Sequence, residues 1–140
     1  MYQLRRTDSV PAFGNCSLDD SPGIGFGWDP GGQMYAYLCA EPRTQVDRAY
    51  HWEMTVYLYA GGRRGRGAAP LDRCTADVTP RRCQRFKARP GEKFTWTNTS
   101  LADKKVVQTG TAVADTYGLV TAKRILISKG KNRLVIQRAK

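Results

Sequence analysis

The alternation of side chains in His51–Ala60 (HWEMTVYLYA) constrains the fold more than any other feature of the sequence. In an extended chain, Trp52, Met54, Val56 and Leu58 would all lie on one side. A period of two over the whole segment is typical of a β-strand with one face in a core. Because tyrosines add bulk to the opposite face, we expect both faces of this strand to be covered.

Short segments of similar character continue to the C-terminus. We predict further strands in Met34–Ala40, Arg73–Thr79, Arg82–Lys87, Glu92–Asn98, Val106–Ala114, Leu119–Thr121, Arg124–Ser128 and Asn132–Gln137. Turn-forming residues separate several of them, as in Arg89-Pro90-Gly91. Apolar residues show no sustained helical spacing, and we expect Arg43–His51 to hold at most one helical turn. Strands at this spacing predict an all-β sandwich.

The density of glycine and proline divides the chain. Residues 1–33 contain six Gly and three Pro, which predicts an irregular N-terminal arm. Residues 34–140 are then expected to form a single β-sandwich domain. Within that domain, residues 61–70 (GGRRGRGAAP) have no apolar side chain larger than Ala or Pro and predict a flexible loop.

Two motifs near the C-terminus carry a resemblance to a known class of domain. They are Asp115-x-x-Gly118-Leu119-Val120-Thr121 and, after a strand, Gly130-x-x-Arg133-Leu134-x-Ile136. Residues 74–138 thereby resemble immunoglobulin- or fibronectin-like all-β regions near the C-termini of secreted or surface proteins of environmental bacteria. The resemblance implies an immunoglobulin/fibronectin-like antiparallel β-sandwich that serves as a spacer, binding module or assembly surface. The Cys…Trp…Cys order of antibody domains is not matched, because Trp96 follows both Cys74 and Cys83.

Positive charge is concentrated in the second half of the chain. The net charge is +11 overall, with −3 in residues 1–60 and +14 in residues 61–140. This asymmetry favours an acidic partner: nucleic acid, acidic polysaccharide, an anionic surface, or the acidic half of another copy. The residues expected to bind a polyanion or partner are Arg63, Arg64, Arg66, Arg81, Arg82, Arg85, Lys87 and Arg89. The alternative is that the charge only maintains solubility.

Tyrosines form two pairs with strand spacing. Tyr35 and Tyr37 would share one strand face, and Tyr57 and Tyr59 would share another. If exposed, such pairs would provide platforms for sugar rings; if covered, they would be contact residues in an interface.

Four cysteines are candidates for disulfide bonds. Of the three possible pairings, the preferred one joins Cys16 to Cys39 and Cys74 to Cys83. The second pair needs the chain to reverse near Val78–Thr79, and Pro80 argues against it because it biases Thr79 to an extended geometry. If the chain instead bends from one sheet to the other at Pro80, Cys74 and Cys83 cannot meet. Four buried thiols in a reducing compartment are the alternative. Without a C-x-x-C motif, and with His51 as the only histidine, no metal site is expected.

The sequence contains little that predicts a reaction. No G-x-S-x-G nucleophile motif and no phosphate-binding G-K-[ST] ending are present, so we expect neither an enzyme nor a bound cofactor. His51, Glu53 and Asp47 could form an acid–base cluster, but such residues more often form a solvated strand face.

The location is expected to be extracellular or at the cell surface. No apolar run of about 18 residues is present to span a membrane as a helix, and the N-terminus shows no apolar signal-peptide region. A secreted protein would have this appearance in its mature form.

Taken together, these features predict a non-catalytic extracellular β-sandwich. It would act by self-assembly or subunit contacts, as a surface or filament building block. One alternative is a carbohydrate-binding accessory module of a secreted hydrolase. Another is binding of nucleic acid or another polyanion through the basic region 63–93.

Overall fold

The computed structural model describes residues 9–14, 38–59 and 72–139. These residues form eight β-strands and no helix. The strands are β1 Val10–Gly14, β2 Leu38–Arg48, β3 His51–Leu58, β4 Arg73–Arg81, β5 Lys93–Ser100, β6 Lys105–Val113, β7 Ala122–Ser128 and β8 Asn132–Arg138.

The strands form two antiparallel sheets. The smaller sheet has the order β1-β4-β7, and the larger has the order β2-β3-β8-β5-β6. The two sheets pack face to face, so the predicted all-β sandwich is confirmed. The last strand of the chain, β8, lies in the middle of the larger sheet between β3 and β5.

The alternation seen in His51–Ala60 determines which side of the larger sheet faces the core. Trp52, Met54, Val56 and Leu58 are all completely buried, as predicted. They pack in one apolar cluster that draws on both sheets. Other fully buried members of the cluster are Phe94, Leu134 and Ile136 from the larger sheet and Val78, Ile125 and Ile127 from the smaller one.

Strand β2 differs from the sequence-based expectation. It runs from Leu38 to Arg48, so the helical turn allowed for Arg43–His51 is not formed. The irregular segment around Pro42 forms a β-bulge between Glu41 and Val46. There, the Thr44 hydroxyl donates to the Glu41 carbonyl at 2.6 Å and accepts from the Thr55 amide at 3.0 Å, replacing regular ladder bonds.

Three other segments also differ from prediction. Val10–Gly14, within the arm expected to be irregular, forms β1 and pairs with β4. Arg82–Lys87 and Leu119–Thr121, predicted as strands, lie in loops instead. β4 continues through Pro80, which lies opposite Pro11 of β1. Since neither proline can donate a hydrogen bond, this position fits a non-hydrogen-bonded pair of the ladder.

Ser9, just before β1, connects the start of the first described segment to the core by hydrogen bonds. Its buried hydroxyl accepts a hydrogen bond from the Trp52 indole at 2.9 Å and donates to the Arg81 carbonyl at 2.8 Å. Its backbone amide donates to the Gln45 side chain at 2.7 Å. One small polar residue therefore satisfies the only polar group of the largest buried side chain.

A network of amide side chains joins the two sheets. Buried Asn98 donates to the Gln108 side chain and to the Leu126 carbonyl, both at 2.9 Å. It also accepts from the Asn132 side chain at 3.0 Å. Asn132 in turn accepts from the Ser128 amide and hydroxyl. The network thus links β5, β6 and β8 of the larger sheet to β7 of the smaller one.

Gly110 on β6 makes room for a tryptophan. A β-carbon at this position would overlap the indole ring of Trp96, which is nearly buried. We expect Gly110→Ala to lower the free energy of unfolding by about 1–3 kcal/mol, the usual cost of overpacking. Gly14→Ala is the matched control, because its new methyl would meet no atom within 4 Å. Urea unfolding of both variants checks this, and equal stability would show that Trp96 is not packed on Gly110.

Candidate functional site

The basic residues predicted to bind a partner are partly gathered on one loop. Arg81, Arg82, Arg85, Lys87 and Arg89 are exposed at the end of β4 and along the loop to β5. This segment, residues 81–89, contains no acidic residue and is called the basic loop below. Arg63, Arg64 and Arg66 lie outside the described residues.

A single carboxylate from another strand holds the basic loop in place. Asp47 of β2 accepts hydrogen bonds from three consecutive backbone amides, those of Gln84 at 2.5 Å, Arg85 at 3.2 Å and Phe86 at 2.7 Å. Phe86 is buried, and its ring packs on Phe94 with 5.4 Å between the ring centroids. Anchored in this way, the loop backbone directs its long basic side chains to solvent.

The basic loop forms one side of an open cleft of about 270 Å³, called the basic cleft below. Arg81, Arg82 and Lys87 supply its charges, and its lining among the described residues contains no acidic side chain. The opposite side is the turn that contains Tyr117, whose side chain is 86% exposed. Three cations facing an exposed aromatic ring suit an anionic ligand that also has a flat surface.

The turn with Tyr117 is itself held rigidly. The Asp115 carboxylate accepts from the amides of Tyr117 at 2.8 Å and Leu119 at 3.0 Å. Gly118 has a φ of +75°, and a β-carbon there would lie 2.6 Å from the Ala88 carbonyl of the basic loop. Glycine therefore lets the two sides of the cleft touch backbone to backbone.

Tyr117 was missed by the sequence analysis, although its position in the turn Thr116-Tyr117-Gly118 is visible there. An aromatic residue at the tip of a tight turn has little chance of reaching the core. The predicted aromatic pair on β3 does not form an exposed platform. Tyr59 is buried at 8% exposure, and only Tyr57 is half-exposed. Tyr35 and Tyr37 lie outside the described residues.

Tyr57 belongs to a small polar group on the outer face of the larger sheet. The Lys131 ammonium lies 5.3 Å from the centre of its ring and 2.7 Å from the Glu41 carboxylate. Burial, together with the neighbouring Cys39 and Glu41, raises the pKa of the Tyr57 hydroxyl. Tyr57 therefore packs within an ion-paired surface.

The predicted disulfides are not formed. Cys39, Cys74 and Cys83 are present as thiols, and Cys16 lies outside the described residues. The strand from Cys74 to Arg81 alone spans about 23 Å, which is several times the Cα separation that a disulfide allows. Cys83 lines the basic cleft, and burial raises the pKa of its thiol, which disfavours the reactive thiolate.

The acid–base cluster considered from the sequence is only partly assembled. His51 Nε2 lies 3.4 Å from the Glu53 carboxylate on the outer face of the larger sheet. Glu53 also lies 3.5 Å from the Arg133 guanidinium. Asp47 does not join them, because its carboxylate is bound to the basic loop. Among residues 9–14, 38–59 and 72–139, no group of His, Cys, Asp or Glu side chains is arranged to hold a metal ion.

Sheet edges are a second kind of surface through which a β-sandwich can act. The edge of β7 is closed by side chains: Gln108 donates to the Arg124 carbonyl at 3.0 Å and accepts from the Leu126 amide at 2.8 Å. Asn98 donates to the Leu126 carbonyl. A strand from another molecule therefore finds these backbone groups already bonded.

Two more edges carry features that discourage pairing. β1 has only five residues, and Pro11 removes one donor from its outer edge. β2 contains Pro42 and is interrupted by the bulge between Glu41 and Val46. Prolines, bulges and short length are the usual means by which edge strands avoid pairing with other chains.

The edge formed by β6 has none of these obstacles over most of its length. Its nine residues, KVVQTGTAV, contain one charge and no proline. After a bulge near Val107, the six residues Gln108–Val113 pair with β5 without interruption. Val106, Val107 and Val113 are 58%, 41% and 57% exposed. Among the residues that the structure describes, β6 is thus the one edge open to another strand.

The anchoring of the basic loop by Asp47 can be tested directly. We expect Asp47→Ala to lower the free energy of unfolding by about 1–3 kcal/mol, because three loop amides lose their acceptor. Hydrogen exchange should become faster at Gln84, Arg85 and Phe86 but not in the central strand β8. Asp103→Ala is the control, since Asp103 is exposed and accepts only a 3.3 Å bond from Lys105. Unchanged protection of the loop amides in Asp47→Ala would contradict the anchoring.

No protein-family model matches the chain, and no curated protein or solved structure matches it significantly. The described residues include no helix long and apolar enough to cross a membrane. What the protein does must therefore be inferred from its surfaces.

Proposed function

We propose that this protein is a non-catalytic β-sandwich that associates with a second copy of itself through the β6 edge. One observation carries the proposal: three of the four described sheet edges are obstructed, and the fourth is a long, nearly uncharged strand with exposed valines. Evolved β-proteins usually protect such a strand. An unprotected one is suited to adding a strand from a partner.

The partner edge follows from the same observation. If β6 is the available edge on each molecule, an edge-to-edge contact must use β6 from both. Such a contact is isologous and related by a two-fold axis, so it closes as a dimer and does not extend into a filament. The filament building block expected from the charge asymmetry is therefore less well supported than a closed pair.

The chemistry of β6 supports pairing over Gln108–Val113. An antiparallel pair brings side chains of the same face opposite each other. Thr109, Thr111 and Val113 lie on the outer face and have good β-propensity. A two-fold axis near the middle of the segment would bring Thr111 of one protomer close to Thr111 of its partner. Backbone hydrogen bonds and valine contacts would then hold the pair together.

Salt distinguishes this association from a charge-driven one. Two copies that each carry +11 repel, and screening weakens that repulsion. The dissociation constant of a dimer formed through β6 should therefore stay the same or fall as the salt concentration rises. The dissociation constant of a head-to-tail contact between the acidic and basic halves of two copies should instead rise with the salt concentration.

We expect sedimentation equilibrium to show a monomer–dimer equilibrium that Thr111→Lys shifts by about tenfold or more toward monomer. The reason is that the new lysines of the two copies would meet near the axis. Thr116→Lys adds the same charge at an exposed turn outside the strands and should leave the equilibrium unchanged.

Three results would overturn the proposal. They are a monomer at all concentrations, growth beyond a dimer on concentration, or dissociation of the dimer by salt. Equal effects of Thr111→Lys and Thr116→Lys would also exclude the β6 edge as the contact.

A further inference from the structure

We infer that the basic cleft binds one acidic sugar residue of a uronic acid polysaccharide. This site is distinct from the β6 edge and is formed by the residues of a single protomer. The inference rests on the charge, size and rigidity of the cleft and on the single aromatic ring beside it.

Charge defines the ligand class. Arg81, Arg82 and Lys87 line the cleft, and none of the described residues of its lining is acidic. Arginine presents a planar fork of donors that matches a carboxylate, and lysine adds a compact point charge. An anionic group would be attracted by the charges of Arg81 and Lys87, whereas a neutral ligand would gain nothing from either charge.

The volume of the basic cleft further limits which anionic ligands can bind. The volume of about 270 Å³ lies below the range usual for drug-sized ligands and suits a single ring. The lining also includes apolar side chains, of which Leu119 is partly exposed and Phe86 is nearly buried. Tyr117 lies at the opposite side with 86% of its side chain exposed, so one ring with one acidic group fits the features present.

The cleft is organised before any ligand binds. Asp47 fixes the basic loop by three amide bonds, Asp115 fixes the turn of Tyr117, and Gly118 lets the turn contact Ala88. A site whose parts are already positioned loses less entropy on binding. This distinguishes the cleft from basic residues that are merely scattered over a solvated surface.

A single aromatic residue favours a sugar over a nucleic acid. Single-stranded nucleic acids bind grooves that follow several nucleotides and stack successive bases on successive aromatic rings. In the lining of the basic cleft, Tyr117 is the only exposed aromatic side chain. Arg85 and Arg89 are exposed on the same loop and are placed to meet carboxylates of neighbouring sugar residues in a polymer.

The test compares polygalacturonate with its fully methyl-esterified form, which keeps the sugar backbone and removes the charge. Isothermal titration at low ionic strength should show binding of the acidic polymer only. Lys87→Gln and Tyr117→Ala should each weaken binding by about tenfold. Both side chains are exposed, and circular dichroism should confirm that both variants remain folded.

Lys105→Gln is the matched control for charge. Lys105 is exposed at the start of β6, about 27 Å along the strand from Val113, which precedes the Tyr117 turn. Binding that falls equally in Lys105→Gln and Lys87→Gln would overturn the inference, because charge alone would explain it. Binding of the esterified polymer, tighter binding of single-stranded DNA, or no binding of polygalacturonate would overturn it as well.

Discussion

The amide network of Asn98, Asn132 and Gln108 is the interaction on which the arrangement of the two sheets depends. Buried amides are costly unless they are bonded, and these bond both to one another within the larger sheet and to β7 of the smaller one. The bonds that cross to β7 are those to the Leu126 and Arg124 carbonyls and from the Leu126 and Ser128 amides, and they specify how β7 lies against β5 and β6. In doing so they close the edge of β7, and β6 remains the edge at which association is possible. A polar network in the interior thus decides which part of the surface can act.

The sequence predicted the parts of this fold that depend on local pattern. Alternation predicted β3, β5 and β8 because each buries one face of a regular strand. It could not predict that Asn98 and Asn132 are buried, because the bond between them joins residues 34 positions apart. Nor could it place β1, since a Pro- and Gly-containing segment becomes a strand only when β4 supplies the partner. Arg82–Lys87 has strand-like composition, but Asp47 binds its amides and removes them from any ladder.

Similar reasoning separates what could and could not be predicted of the candidate site. A cluster of arginines is visible in composition, and five of the eight predicted basic residues are on the basic loop or at its start. The aromatic partner could not be inferred from strand spacing, because Tyr117 lies in a turn that reaches the loop through Gly118 and Ala88. The Cys74–Cys83 prediction failed for a related reason. It assumed that the chain reverses near Pro80, whereas opposite prolines allow β4 to continue.

Charge connects the two proposed activities. A dimer made through β6 brings together two molecules that each carry +11, and their repulsion opposes an association based on backbone bonds and a few valines. An acidic polysaccharide in the basic cleft would neutralise part of that charge. Because thermodynamic coupling is reciprocal, a ligand that reduces repulsion in the dimer must bind the dimer more tightly than the monomer. The high net charge would then weaken pairing at the open edge, and an acidic polymer would strengthen it.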